Sequence, residues 1–379
     1  MSHRSPPPFA LHPATFEELP AEVQLQILEK QEREARIAAA RIERYGHVRA
    51  PIIVDHQGYK VAAIGNKLLW AKHWQTFHDL LYTNIAHVLG VEWGKAELEK
   101  PDADRHPIMQ WYQDVRTYQR ERTAKTGTSP YELIPTGPSV AYVLLAYDLY
   151  LLEHHALLRD LLVDRLKQRD QFQGARYEVY VAACFIRAGF DITLEDETDT
   201  DTSHCEFNAT HRGTRTSYSV EAKSRHRPGY LGMGGQPVPL DQIKADVSRL
   251  IRGALRKRAD YPRIIFTDIN VPKEDREPFQ SDWFFRIANQ LKALEESQGD
   301  RPYPPAFVFF TNQPDHYVGG DDVSPGHTLV FSGLNMPEFR QEDGDNPVPA
   351  MERIAKQYPG VIALYQSIMS HQIPETLDW

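Results

Sequence analysis

The stretch SYSVEAKSR, residues 217–225, decides how this chain is read. Tyr218, Val220 and Ala222 alternate as the core-facing side of a half-buried β-strand. Ser219, Glu221 and Lys223 occupy the other phase. A period of two puts the Glu221 carboxylate and the Lys223 amine on one face, about 7 Å apart along the strand. An acid and a base side by side on a strand that otherwise reads as core is an arrangement that packing alone does not ask for.

The surrounding segments extend the pattern. Upstream, QFQGARYEVYVAACFIRAGF (171–190) reads as a helix whose stripe is Phe172, Ala175, Val179, Ala182, Ala183 and Ile186, with Gly189 as its stop. Glu178 sits on the flank of that stripe. Three short strand-like runs follow, DITLEDE, HCEFNAT and TSYSVEAKS. Glu206 shares the phase of His204 and Asn208, so pairing of the second and third runs can bring it to the face of Glu221 and Lys223. A second helix, LDQIKADVSRLIRGALRKR, leads to the buried-looking strand RIIFTDIN. Then come a helix near WFFRIANQLKALEES, the strand AFVFFTN and a further candidate strand, HTLVFSG. Strands interleaved with helices predict an α/β mixed sheet flanked by helices.

Carboxylates drawn together at low dielectric repel, and a hard divalent cation relieves that repulsion. Oxygen-only ligands suit Mg²⁺, which keeps several waters and takes one or two carboxylates. The charge distribution points the same way. The chain carries a formal net charge of −9, which argues against a nucleic-acid partner, but His211–Arg263 contains twelve cations and four anions. An acidic run from Asp191 to Glu206 precedes it. A basic face beside a carboxylate cluster is what a cation-dependent phosphate site needs, although a solvated basic helix face reads equally well from charge alone.

The order helix, three strands, helix, strand, with Glu178, Glu206 and Glu221-Ala222-Lys223, resembles the PD-(D/E)XK nuclease superfamily, the restriction-endonuclease-like fold, over residues 170–270 and on to about 312. The resemblance implies that Glu221 and Lys223 form the (D/E)XK pair and that Ala222 offers a backbone carbonyl to the metal. It places Glu206 as the first acid and Glu178 as the helix carboxylate. It implies Mg²⁺- or Mn²⁺-dependent phosphodiester cleavage, with DNA as the usual polymer, and RNA stays open. The family pattern is Pro-Asp where this chain has Cys205-Glu206, so Asp199 or Asp201 is the alternative first ligand. Arg225, Arg227, Arg249, Arg252, Arg256 and Lys257 are expected to hold flanking phosphates. The rival from another class is a scaffold that keeps the fold and the basic face but has lost the chemistry.

The rest of the chain is read more coarsely. At 379 residues, 41% hydrophobic and 25% charged, it has length for two or three domains. The expected division is 1–165, 166–335 and a C-terminal extension, 336–379. The first region is mainly helical, opens with a Pro-rich start (1–14), and has a β-hairpin near 51–64 with Gly58 in its turn. Its role is unassigned: substrate selection, a homodimer contact or a protein partner. Trp70, Trp74, Trp93 and Trp111 read as core rather than base-stacking platforms. VAYVLLAYDLYLLEHHALL is interrupted by Asp148 and Glu153 and reads as part of one long buried helix from about Val140 to Leu166, so no membrane is expected. Two cysteines, Cys184 and Cys205, and no apolar leader in MSHRSPPPFALHP predict a reducing, cytoplasmic setting.

Overall fold

The computed structural model describes residues 16–126, 135–194, 205–297, 302–339 and 348–379. The Pro-rich start, Asp199, Asp201 and His204 lie outside the described residues. In chain order, α1 (Ala21–Tyr45) precedes a three-stranded antiparallel sheet of β1 (Ile52–His56), β2 (Tyr59–Ile64) and β3 (Lys67–Ala71). The helices α2 (Phe77–Leu89), α3 (Val91–Leu98), α4 (Pro107–Thr126), α5 (Gly137–His154), α6 (Asp160–Lys167) and α7 (Phe172–Arg187) follow. The second sheet is built from β4 (Phe190–Leu194), β5 (Phe207–His211), β6 (Ser217–Ser224), α8 (Ser248–Arg256), β7 (Arg263–Asp268), α9 (Asp282–Glu296), β8 (Ala306–Asn312) and β9 (Thr328–Leu334). Two helices close the chain, α10 (Val348–Gln357) and α11 (Pro359–Ser370).

The class is α/β, as expected. The second sheet is mixed, in the order β4-β5-β6-β7-β8-β9. β4, β5 and β6 form an antiparallel meander; β6, β7 and β8 run parallel; β9 returns antiparallel. Each parallel link passes through one helix, α8 and then α9, because parallel neighbours need a crossover.

Strand alternation sorts the two faces. Phe207, Ala209, Val220, Ala222, Ile264, Phe266, Phe307 and Phe309 belong to one apolar cluster with Ala175, Val179, Ala182, Phe185 and Ile186 of α7. Ile265, Val308, Phe310 and Val330 belong to a second cluster with Ile251, Ala254 and Leu255 of α8 and Trp283, Ile287, Leu291 and Leu294 of α9. The stripe read from the sequence is buried, but α7 is buried almost all round: Phe185, outside the stripe, meets Phe190, Phe207 and Phe266 of the sheet, whereas Phe172 of the stripe packs on His106 and Trp111. Gly189 ends that helix at φ 83°, where a Cβ would stand 2.9 Å from the His47 ring.

Several expected boundaries move. The hairpin is a three-stranded sheet: Gln57 and Gly58, both at positive φ, make its first turn, and Gly65 begins a second. The single helix from Val140 is two helices, broken where Ala156 takes φ 55°. α8 spans only Ser248–Arg256; residues ahead of it form a 3-10 turn at Leu240–Gln242 and irregular chain. The cluster that holds α7 also contains buried residues of α2 and α5, and Val361 and Leu364 of α11. Packing is thus continuous across residue 165 and takes in the expected extension, whereas contacts divide the chain into Met1–Arg44 and Tyr45–Trp379. Trp74 and Trp111 are buried, but Trp70 is 63% exposed. With Trp93 it lines an apolar cavity of about 620 Å³.

Candidate active site

β6 carries the cluster. Val220 and Ala222 point into the α7 side, so Glu221 and Lys223 project from the α8 side. Glu206 stands one residue ahead of β5, and its amide donates at 2.9 Å to the carbonyl of Val220, the register partner of Phe207, which holds it against β6. The next residues in its phase agree, since Ser219 Oγ donates to Asn208 Oδ1 at 2.8 Å. Expected neighbours therefore meet: Lys223 Nζ lies 3.9 Å from Glu206 Oε1 and contacts Glu221 Oε1 directly.

A fourth group joins them. Lys257, the first residue beyond α8, places Nζ 2.9 Å from Glu221 Oε1 and 3.3 Å from Glu206 Oε1. The turn that carries it is fixed on two sides: Arg263 donates to the Lys257 carbonyl at 2.8 Å, and Cys205 Sγ lies 3.4 Å from the Arg258 carbonyl. Lys257 was expected among the phosphate contacts; it sits instead between the two acids. A side chain that follows a helix end has no strand phase, so periodicity gave no signal for this position.

Glu221 is 1% exposed, and neither of its carboxylate oxygens has a hydrogen-bond partner of good angle. Its neighbours are ion-pair contacts. Burial pushes its carboxyl upward, the Glu206 charge adds to this, and the two ammonium groups oppose it. Burial alone would lower Lys257, but the Glu221 and Glu206 carboxylates outweigh it and hold the ammonium charged. Cys205 is a buried free thiol pushed up to about 12 by burial and by Glu221, which suits a packing role.

Glu178 is not part of this cluster. It forms a two-pronged ion pair with Arg165, at 2.7 and 2.6 Å, tying α7 to α6. α7 covers the Val220 and Ala222 face, so the sheet itself separates Glu178 from Glu221. The polar groups that α7 does bring to the strand ends include Arg176, 3.6 Å from Asp268, which also accepts from Ser224 Oγ, and Gln173, which bonds Arg227 and Asn270.

The basic residues split into two kinds. Arg249, Arg252 and Arg256 are exposed along one side of α8, opposite Ile251, Ala254 and Leu255. Arg225 is half-buried, 3.9 Å from Asp246, and lines a cavity of about 330 Å³ with His226 and Lys244. Arg227 departs from expectation: it is 9% exposed and donates to the carbonyls of Asn270, Lys244 and Ile269. Those three bonds use its Nε and Nη2, and with its burial they make it fasten the loop after β6 rather than present a charge to solvent.

Among the described residues, no group of three or more His, Cys, Asp or Glu side chains is placed to hold a metal ion. The oxygen donors at hand are the Glu206 and Glu221 carboxylates and a backbone carbonyl. Val220 directs its carbonyl at Glu206, so alternation directs the Ala222 carbonyl toward the same edge, beyond the start of β5. Two carboxylates, one carbonyl and the buried Glu221 Oε2, which has no hydrogen-bond partner, fit a hard cation that keeps most of its waters. The set lacks the nitrogen or sulfur ligands of a structural zinc site. No helix among the described residues is long and apolar enough to cross a membrane. A scan against protein-family models and searches among curated proteins and solved structures return no match for this chain.

Proposed function

We propose that this chain is a metal-dependent nuclease that hydrolyses phosphodiester bonds in nucleic acid, with DNA as the first candidate. The observation that carries this reading is a fully buried Glu221 whose Oε1 meets two ammonium groups, whose Oε2 has no hydrogen-bond partner and whose neighbour Glu206 is a second carboxylate. Burying such a group is costly, and an ordinary structural ion pair does not call for two acids. The order α7, β4, β5, β6, α8, β7 is also the order that the resemblance to PD-(D/E)XK nucleases requires.

In this reading Glu206, Glu221 and the Ala222 carbonyl would hold the cation. Mg²⁺ or Mn²⁺ bound there would supply Lewis acidity and lower the pKa of a water. Lys223, held on the same strand face, orients the attacking water and offsets charge on the scissile phosphate. Arg249, Arg252 and Arg256 give the polymer backbone a row of cations on the same side of the sheet. A role in bacterial defence or DNA processing extends the reading by analogy.

The test is cleavage of plasmid and oligonucleotide substrates with Mg²⁺ or Mn²⁺ by the intact chain, Glu221→Ala and Lys223→Ala. Loss of cleavage in both variants is expected; full activity in either removes the assignment. A second reading, a nuclease-like scaffold without catalysis, is favoured by the seating of Lys257 between the acids, which makes two carboxylates and two ammonium groups neutral together.

A further inference from the structure

We infer that Lys257 is a built-in counter-cation, occupying the seat of the divalent ion until that ion displaces it. The inference rests on the proposed metal site and names what regulates it. Lys257 Nζ contacts one oxygen of each acid, at 2.9 and 3.3 Å, the bridging position a shared cation would take. Lys223 does not bridge in this way: it contacts Glu221 directly but stands 3.9 Å from Glu206. The two lysines also differ in mounting. Lys223 lies within a strand paired on its β7 side through Ser224, whereas Lys257 follows the end of a nine-residue helix.

A displaced Lys257 has somewhere to go. Its side chain is 21% exposed, so a rotation of its flexible stem carries the ammonium into water without moving the backbone. It directly follows Arg256, the last of three arginines on the exposed side of α8. Lys223 alone leaves the two acids one charge short of neutral, and a buried carboxylate left uncompensated destabilises the fold. Alternate occupancy by ammonium and metal supplies the missing charge in both states. It also sets a threshold, since each bound ion must replace an existing ion pair.

Mn²⁺ titration by calorimetry tests this on the intact chain, Lys257→Met and Lys257→Arg. Lys257→Met is expected to bind Mn²⁺ about tenfold more tightly than the parent, equivalent to loss of about 1.4 kcal/mol of competition. Lys257→Arg, which keeps the charge, stays near the parent. Equal affinity in parent and Lys257→Met overturns the inference while leaving the metal site standing. No binding in either overturns both, and makes Lys257 a permanent partner of the acids. Should Lys257→Met fail to fold, reductive methylation of the parent followed by mass spectrometry reads the displacement itself. Lys257 is expected to be labelled several-fold faster with Mg²⁺ present, with exposed lysines such as Lys292 unchanged; an unchanged Lys257 rate overturns the inference.

Discussion

Replacing Arg227 by Met separates a structural arginine from the phosphate-facing ones. The guanidinium donates to Asn270 O at 2.9 Å and to Lys244 O and Ile269 O at 3.0 Å. Methionine keeps much of the stem volume and removes all three donated bonds, although Asn270 O keeps a second donor in Tyr317 Oη. At about 1–1.5 kcal/mol each, after allowing for the dehydration of the charge, the loss is about 3–4 kcal/mol. That is a large share of the ~5–15 kcal/mol by which domains are stable. Urea unfolding measures it: the midpoint falls and the slope is retained. Because the bonds pin the segment between β6 and α8, limited proteolysis near Met233–Gln242 should accelerate before global unfolding does. Arg252→Met, on the exposed side of α8, should stay within about 0.5 kcal/mol of the parent. Equal urea midpoints for the two variants would refute the latch and return Arg227 to the surface group.

Other expectations concern charge. Changing Arg249, Arg252 and Arg256 to Gln should weaken binding of duplex DNA and lower the log–log salt slope by up to about 0.9 for each phosphate no longer neutralised, read by fluorescence anisotropy across salt concentrations. Glu178→Gln should leave Mn²⁺ affinity unchanged while costing ~1–2 kcal/mol in urea unfolding, because it breaks the two-pronged bond to Arg165 and nothing in the cluster. Asp148, wholly buried, is raised from 3.8 to about 7 by burial, partly opposed by Arg187 and Arg176. The native state therefore keeps a proton that the unfolded chain releases. Its stabilising effect is complete below about pH 4 and is lost as pH rises to about 7, by up to about 4 kcal/mol. Asp148→Asn should flatten that part of the stability–pH curve, measured by urea midpoints across the same range.

What could be read from sequence was whatever obeys a period. Alternation in Tyr218–Lys223 put Glu221 and Lys223 on one face, and the same phase carried Glu206 to them. The α7 stripe marked buried residues but not the side that meets the sheet, where Phe185 packs. It could not say which face of the sheet the helix covers, and that missing fact moved Glu178 out of the cluster. Lys257 and Arg227 escaped for a related reason: both lie outside regular structure, where their surroundings come from other segments of the chain. The break at Ala156 was hidden because apolar residues run through it without a change in pattern.

The parallel pairing at the centre of the sheet has a kinetic consequence. Ser219 meets Arg263, and Arg263 meets Ala306, so each pairing closes a loop of roughly forty residues before any ladder bond forms. The β4–β5–β6 meander pays far less for closure and can nucleate first. Lys257 and β7 then arrive with the slow step, after Glu206 and Glu221 are already neighbours. Refolding should accordingly pass through a stage in which the two acids share Lys223 as their single ammonium partner, and that stage should be fastest to clear at mildly acidic pH.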